Sequence, residues 1–331
     1  MNSFSTAYAT YPRGEVVKRW ISCILILCLL PVAPASADPI KWVDFQVPYE
    51  SLEYAMNQDI ETFEKEKHIS WIDILAVAAC RTGGRCGLAS VKKAASQLAG
   101  DASLQELLGE LYPYYDYYKT SFTAALGGLL GSYAIEVDGE WKPAYGLKAY
   151  SPIAAGYGYS HCSDFGVSRS FGFSRKHLGN DLMGGLGTPI VAVEGGVVEA
   201  MGWNRYGGWR IGIRSFDSKR YYYYAHLQKD HPFAEGLQVG DMVNPGDVIG
   251  FMGRTGYSDK ENVNNIETVH LHFGMQLIFD ESQKECLSEI WIDVYDIVRL
   301  LSRHRSSVVK TQNGYNRLYN YRDLDLPDFV K

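Results

Sequence analysis

Apolar positions along the first third of the chain recur at helical spacing. Leu52, Met56, Ile60 and Phe63 fall three or four apart, the interval at which side chains share one face of an α-helix. A second helix is expected from Ser70, whose hydroxyl can cap it, through Ile72, Leu75 and Ala79. Cys80-Arg-Thr-Gly-Gly-Arg-Cys86 interrupts the pattern as a loop, and Leu88 to Leu98 resumes it. Ser103-Leu-Gln-Glu106 has the form of a capping box, followed by a stripe of Leu104, Leu107, Leu108 and Leu111. Pro113 ends or kinks that helix, and Gly127, Gly128 and Gly131 loosen anything helical beyond it.

The period then changes. Residues 133–162 read as a connector with one hairpin turning at Asp138-Gly139. From Asp164, β-branched and aromatic runs alternate with glycine turns, over Pro189–Val193, Gly196–Met201, Trp209–Arg214, Arg220–Ala225, Asp247–Met252 and Leu271–Ile278. The expected fold class is α+β: a helical domain over 38–132, then a mainly antiparallel β-sheet domain over 163–303. A helix within Trp291 to Arg303 closes that domain, and residues 304–331 form a polar tail, loose from Thr311.

Residues 1–37 fit neither pattern. Arg13, Lys18 and Arg19 precede an apolar run from Trp20 to Leu30, and Ala35-Ser-Ala37 has the small residues of a cleavage site. This is a signal peptide or, if uncleaved, an anchor; the run is shorter than the roughly 20 residues that span a bilayer. Export to the envelope or the medium is the expectation, and membrane attachment only through this segment. Without it, 29 basic residues stand against 37 acidic ones, a net charge of −8 that disfavours nucleic acid as a partner. Four cysteines then remain, and Cys80 with Cys86 is the expected disulfide, because an exported chain permits one and only five residues separate the two. The tyrosines of the helical half admit a wall-binding role, but aromatic stripes at helical spacing usually face a core.

Four of the eight histidines fall in three short motifs: His177-Leu-Gly-Asn-Asp181, Tyr224-Ala-His226-Leu227 and His270-Leu-His272. Zinc takes imidazole and carboxylate ligands, and a catalytic site keeps three of them with one position open. His177, Asp181 and one histidine of the 270/272 pair supply that number. Residues two apart on a strand point the same way, so His270 and His272 enter one cleft together. By the same parity Tyr222, Tyr224 and His226 would share a face, with both tyrosines as candidates to line a groove. Cys162 beside His161 has no partner motif and carries little weight as a second metal site.

The region from about Ser163 to Phe279 resembles the M23 (LytM/lysostaphin-like) zinc metallopeptidases. Their His-x-Gly-x-Asp, Tyr-x-His-Leu and His-Leu-His-Phe elements all occur here in order, together with Gly187-Thr-Pro-Ile-Val-Ala-Val-Glu-Gly-Gly196 and the run from Val243 to Gly256. The resemblance implies one zinc ion on His177, Asp181 and His272, with His270 and His226 as the catalytic pair. It implies His270 as base toward water and His226 as stabiliser of the oxyanion, a division that the residues alone leave open. It also implies hydrolysis of peptide bonds in bacterial peptidoglycan, in the stem peptide or the cross-bridge. The stretch Tyr257 to Val269 departs from the family pattern as a longer, polar groove loop, so the resemblance carries the metal site and not the bond cut.

Two rival readings are a non-catalytic M23 scaffold that binds the wall or activates another hydrolase, and an exported protease of protein substrates. The scaffold is disfavoured because none of the five positions is lost. A biotinyl-type carrier, suggested by Val239-Gly-Asp-Met-Val-Asn-Pro-Gly-Asp247, lacks the lysine it would need at a hairpin tip.

Overall fold

The first helix, α1 (Tyr49–Thr62), buries Leu52, Ala55 and Met56 on one face, as the spacing predicts. This computed structural model describes residues 41–326 apart from Asp44, Cys286, Leu287 and Asn313. The segment 1–37, read above as a targeting signal, lies outside them, as does Cys286. Helix α2 (Trp71–Thr82) starts where the Ser70 hydroxyl accepts from the Ile72 amide at 3.2 Å. It stops at Gly83, whose left-handed φ of 59° suits a residue without Cβ. The loop expected from Cys80 therefore begins only at Gly83.

The expected Cys80–Cys86 bridge is not formed. Cys80 lies within the last turn of α2 as a free thiol that burial pushes up to about 11. The Cys86 thiol donates instead to the Leu75 carbonyl at 3.6 Å, more than one helical turn before Cys80. Fully buried Ala76, Ala78 and Ala79 keep α2 slim, so α1 and α3 (Leu88–Leu98) pack closely against it.

The capping box forms as expected: the Glu106 amide donates to the Ser103 hydroxyl at 3.3 Å, and the Ser103 amide to the Glu106 carboxylate at 2.8 Å. Helix α4 (Leu104–Leu108) is nevertheless short. Gly109, at φ 54°, and Pro113, without an amide hydrogen, divert the chain into a 3-10 turn before α5 (Tyr115–Leu126). Buried Asp59 on α1 binds the Trp71 amide at 2.8 Å and the Tyr145 hydroxyl at 2.7 Å.

The connector is more structured than its composition suggests. Strands β1 (Leu130–Val137) and β2 (Glu140–Leu147) form the hairpin, turning through Asp138 at φ 55° and Gly139 at φ 80°. Short strands β3 (Tyr159–His161), β4 (Ser168–Phe171) and β5 (Phe173–Lys176) follow, then β6 (Asn180–Gly184), β7 (Pro189–Val191), β8 (Gly196–Asn204), β9 (Gly208–Ser215) and β10 (Arg220–Ala225). After them come β11 (Met242–Val243), β12 (Val248–Phe251), β13 (His270–Leu277) and β14 (Ile290–Ile292). The main sheet runs β11-β8-β9-β10-β13-β6-β3, with β14 also on β13, and its ladders are antiparallel. One face is apolar: Ile211, Ile213, Tyr222, Tyr224, Leu271, Phe273 and Met275 are buried there. The other face carries the groove.

The closing helix is shorter than expected. Residues at its start pair with β13 as β14, and α6 (Tyr295–Leu301) begins where the Tyr295 amide donates to Asp293 at 3.0 Å. The tail is not loose. β15 (Val308–Thr311) and β16 (Gly314–Arg317) form a hairpin, and β17 (Tyr321–Asp323) pairs with β1. Buried Lys148 secures it through Asp323 at 3.0 Å and Asp325 at 3.1 Å. An α+β fold, helices first and antiparallel sheet after, is the observed architecture.

Arg220 ties the two halves. Its guanidinium pairs with Glu194 at 2.7 Å and donates to the Thr123 and Ala124 carbonyls, at 3.2 and 2.6 Å, near the C-terminal end of α5. Tyr222 donates to the same Glu194 carboxylate at 2.6 Å. Arg220→Met leaves a buried carboxylate without its cation, so an expected loss of about 3–5 kcal/mol should appear as a lowered denaturant midpoint with the far-UV spectrum retained.

Candidate metal centre and groove

The pairing of β6 with β13 assembles the centre. His272 stands directly opposite Asp181, and His270 opposite Met183. His270 and His272 face the groove while Leu271 and Phe273 between and beyond them face the core, as their two-residue spacing predicts. His177 approaches from the loop before β6. Gly179 permits that approach, since a Cβ there would stand 2.5 Å from the Phe273 carbonyl and 2.8 Å from the His272 ring.

Three donor atoms converge. His177 Nε2 lies 2.7 Å from His272 Nδ1 and 3.0 Å from Asp181 Oδ1, which is 3.3 Å from His272 Nδ1. His177 Nδ1 is 3.1 Å from the Asp164 carbonyl. Donating its hydrogen there leaves the Nε2 lone pair facing the carboxylate of Asp181. An anion and an imidazole lone pair aimed at one point, with a second imidazole beside them, suit a cation, and two nitrogens with one carboxylate oxygen are zinc-type donors.

Two residues that no motif singles out support this cluster. Asp164 accepts the Asp181 amide at 3.2 Å and Arg169 at 2.5 Å, and Arg169 also reaches the outer oxygen of Asp181 at 3.3 Å. Burial alone would raise the Asp181 carboxyl. The neighbouring imidazoles of His177, His272 and His270 outweigh it and hold the group well below the usual carboxylate range. Burial lowers His272 and lowers His226 strongly, the latter with help from His270 and His272, which keeps His226 neutral at rest.

His226 and His270 stand beside the donor cluster, their ring centroids 4.8 Å apart. Each is oriented from behind by a main-chain oxygen: His226 Nδ1 lies 2.8 Å from the Thr255 carbonyl and His270 Nδ1 2.9 Å from that of Thr268. His270 Nε2 is 3.7 Å from Asp181 Oδ1. The parity that grouped His226 with Tyr222 and Tyr224 is not observed. The strand ends at Ala225, and His226 takes a left-handed φ of 62°, which turns its ring to the groove. Tyr222 and Tyr224 are core residues, and Tyr221 and Tyr223 line the groove in their place.

The groove encloses about 670 Å³. Of the longer loop, Tyr257 lines it, stacked on Phe171 at 5.5 Å, while Asn262 holds the remainder aside by accepting from the Trp209 indole at 2.9 Å. Among the described residues, His161 and Cys162 join no cluster of metal-type donor atoms. The His161 ring packs on Tyr295 at 4.4 Å, and burial raises the Cys162 thiol.

Two outcomes follow from this packing. Gly179→Ala forces a methyl against the Phe273 carbonyl and the His272 ring, and should cost about 1–3 kcal/mol in denaturant titrations. Burial, with Arg299 beside it, lowers His161 from 6.5 to about 4, so folding favours its neutral form. That contribution is complete above about pH 6.5 and is lost as the pH falls towards 4. In His161→Phe, the fall in melting temperature over this window should be smaller than in the parent chain.

The family model of Peptidase family M23 matches residues 175–284, which hold all five of the side chains placed at the centre. An L-Ala–D-Glu endopeptidase of Bacillus subtilis is 43% identical over 124 residues, 38% of this chain and 36% of its own. Lysostaphin of Staphylococcus simulans is 37% identical over 98 residues, 29% of this chain and 17% of its own. The match thus spans little more than a third of the first relative and under a fifth of the second. A solved structure from Ruminococcus gnavus, assigned as a LytM glycyl-glycine endopeptidase, superposes with a TM-score of 0.53 over 81% of this chain and 94% of its own. Its 22% identity makes that a likeness of fold. From Arg175 to Lys284, the chain carries a domain of peptidase family M23.

Proposed function

We propose that this chain is an exported, zinc-dependent endopeptidase that hydrolyses peptide bonds of bacterial peptidoglycan. The observation that carries the reading is the convergence of His177, Asp181 and His272 donor atoms within 4.8 Å of one another on the groove wall, beside two further imidazoles. His177, Asp181 and His272 would hold one zinc ion, which when bound polarises the scissile carbonyl and acidifies a water. His270, aimed through Thr268, takes the proton of the attacking water at Nε2 and returns it to the departing amine. His226, aimed through Thr255, stabilises the oxyanion. Tyr221, Tyr223 and Trp291 wall the groove along which an extended peptide would lie.

Relatives named for L-Ala–D-Glu and glycyl-glycine bonds support a wall peptide as substrate. Membrane attachment is proposed only through residues 1–37; among the described residues no helix is long and apolar enough to cross a membrane.

The test measures zinc content and the release of amine termini from purified wall. The purified chain should hold one zinc, lose activity to a chelator and regain it with zinc. His270→Ala should keep the metal and lose activity by about 10²–10⁴-fold, whereas Asp181→Ala should lose both. A zinc-loaded chain that releases nothing from wall overturns the hydrolase in favour of the scaffold. Release only from protein substrates would point to a general exported protease.

A further inference from the structure

The groove is lined by four cationic side chains, Arg175, Lys176, Arg210 and Arg214, against three carboxylates, Asp181, Glu199 and Glu289. The Glu289 carboxylate accepts from the Trp291 indole at 2.9 Å. Arg214 is paired with Glu199 at 2.9 Å, and Asp181 belongs to the donor cluster. Arg175 and Arg210 line the same groove and form no ion pair among the described residues. Each also has a buried Nη1 without a hydrogen-bond partner. Buried donors, charged ones above all, are normally satisfied. Two such donors in one groove point to an acceptor that arrives with the substrate.

Their placement is fixed by rings and by strand register. The Arg175 guanidinium lies 4.9 Å from the Tyr206 ring centroid and 5.1 Å from that of Tyr257, and donates to the Tyr257 hydroxyl at 3.0 Å. Arg210 precedes Ile211, which pairs with Tyr224. Continued by one residue, that register sets Arg210 beside Ala225, which pairs with His272, which pairs with Asp181. Arg210, Ala225, His272 and Asp181 thus form one row across the groove face, with Arg210 two strands, or about 10 Å, from His272. Two or three residues of extended peptide cover that distance at about 3.3–3.6 Å each.

We propose that Arg210, assisted by Arg175, is a carboxylate receptor, and that the substrate is a peptide bearing a free carboxylate within a few residues of the scissile bond. A neutral glycine bridge has no such group. The planar guanidinium matches a carboxylate through two parallel hydrogen bonds, a match that an amide does not reproduce. A γ-linked glutamate in a stem peptide offers this group as its free α-carboxylate, and a peptide C-terminus offers the same chemistry. The inference rests on the peptidase reading of the groove.

The zinc-loaded chain is titrated with, and assayed on, four peptides. These are an L-Ala–γ-D-Glu–L-Lys peptide with an amidated C-terminus, its isoglutamine analogue, the isoglutamine analogue with a free C-terminus, and pentaglycine amide. A free carboxylate should improve binding over the amidated isoglutamine peptide by roughly ten-fold or more. Arg210→Gln should bring the two within about two-fold without weakening the amidated peptide, and Arg210→Lys should recover part of the preference. Which carboxylate carries the preference identifies its source, and either sustains the receptor. Equal binding of acid and amide, or an Arg210→Gln variant that weakens both alike, overturns it. Cleavage without preference defeats this inference alone, whereas preference in binding without release of amine termini from wall defeats the hydrolase reading alone.

Discussion

One strand pairing decides where the chemistry stands: β6 lies against β13 with Asp181 opposite His272. A slip of one residue would send the histidines into the core and Leu271 into the groove. Fully buried Leu182, Leu271 and Phe273 oppose such a slip, because each would lose its apolar surroundings. The placement of polar donors is therefore specified by hydrophobic packing on the reverse of the same strands. Gly179 completes the arrangement by letting the His177 loop close onto the His272 ring.

The helical half bears on the groove through β10. This strand starts at Arg220, held to Glu194 and to carbonyls of α5, and it ends beside His226. Tyr221 and Tyr223, which wall the groove, lie between those two points. Replacing buried ion pairs by apolar residues often leaves stability unchanged. What this pair adds is a fixed direction, since its guanidinium donates to two carbonyls near the C-terminal end of α5.

Legibility in the sequence followed the range of the interactions. The α1 and α2 stripes, the Ser70 cap and the Ser103–Glu106 box are local devices, and they stand where the residues indicate. The β13 parity of His270 and His272 is equally local. The parity of the tyrosine run does not reach His226, because the strand ends at Ala225 and a left-handed residue follows it. Asp164 and Arg169 carry no spacing signal; their meaning comes from a hairpin folded back onto Asp181. The tail looked loose because its strands are short and polar, and their order depends on β1 and on Lys148, far away in the chain. Cys80 and Cys86 are near in sequence, but α2 holds Cys80 within its last turn, and that leaves no trace in the spacing of the two cysteines.

Three imidazoles of the groove, on His177, His226 and His270, are steered through Nδ1 by main-chain oxygens, those of Asp164, Thr255 and Thr268. A main-chain oxygen is supplied by every amino acid, so no point substitution deletes these supports. The steering residues can drift in identity while the rings keep their aim, provided that the loop paths persist. What a lineage would have to preserve here is the course of the backbone, and what it is free to rewrite is the chemistry displayed along the groove walls.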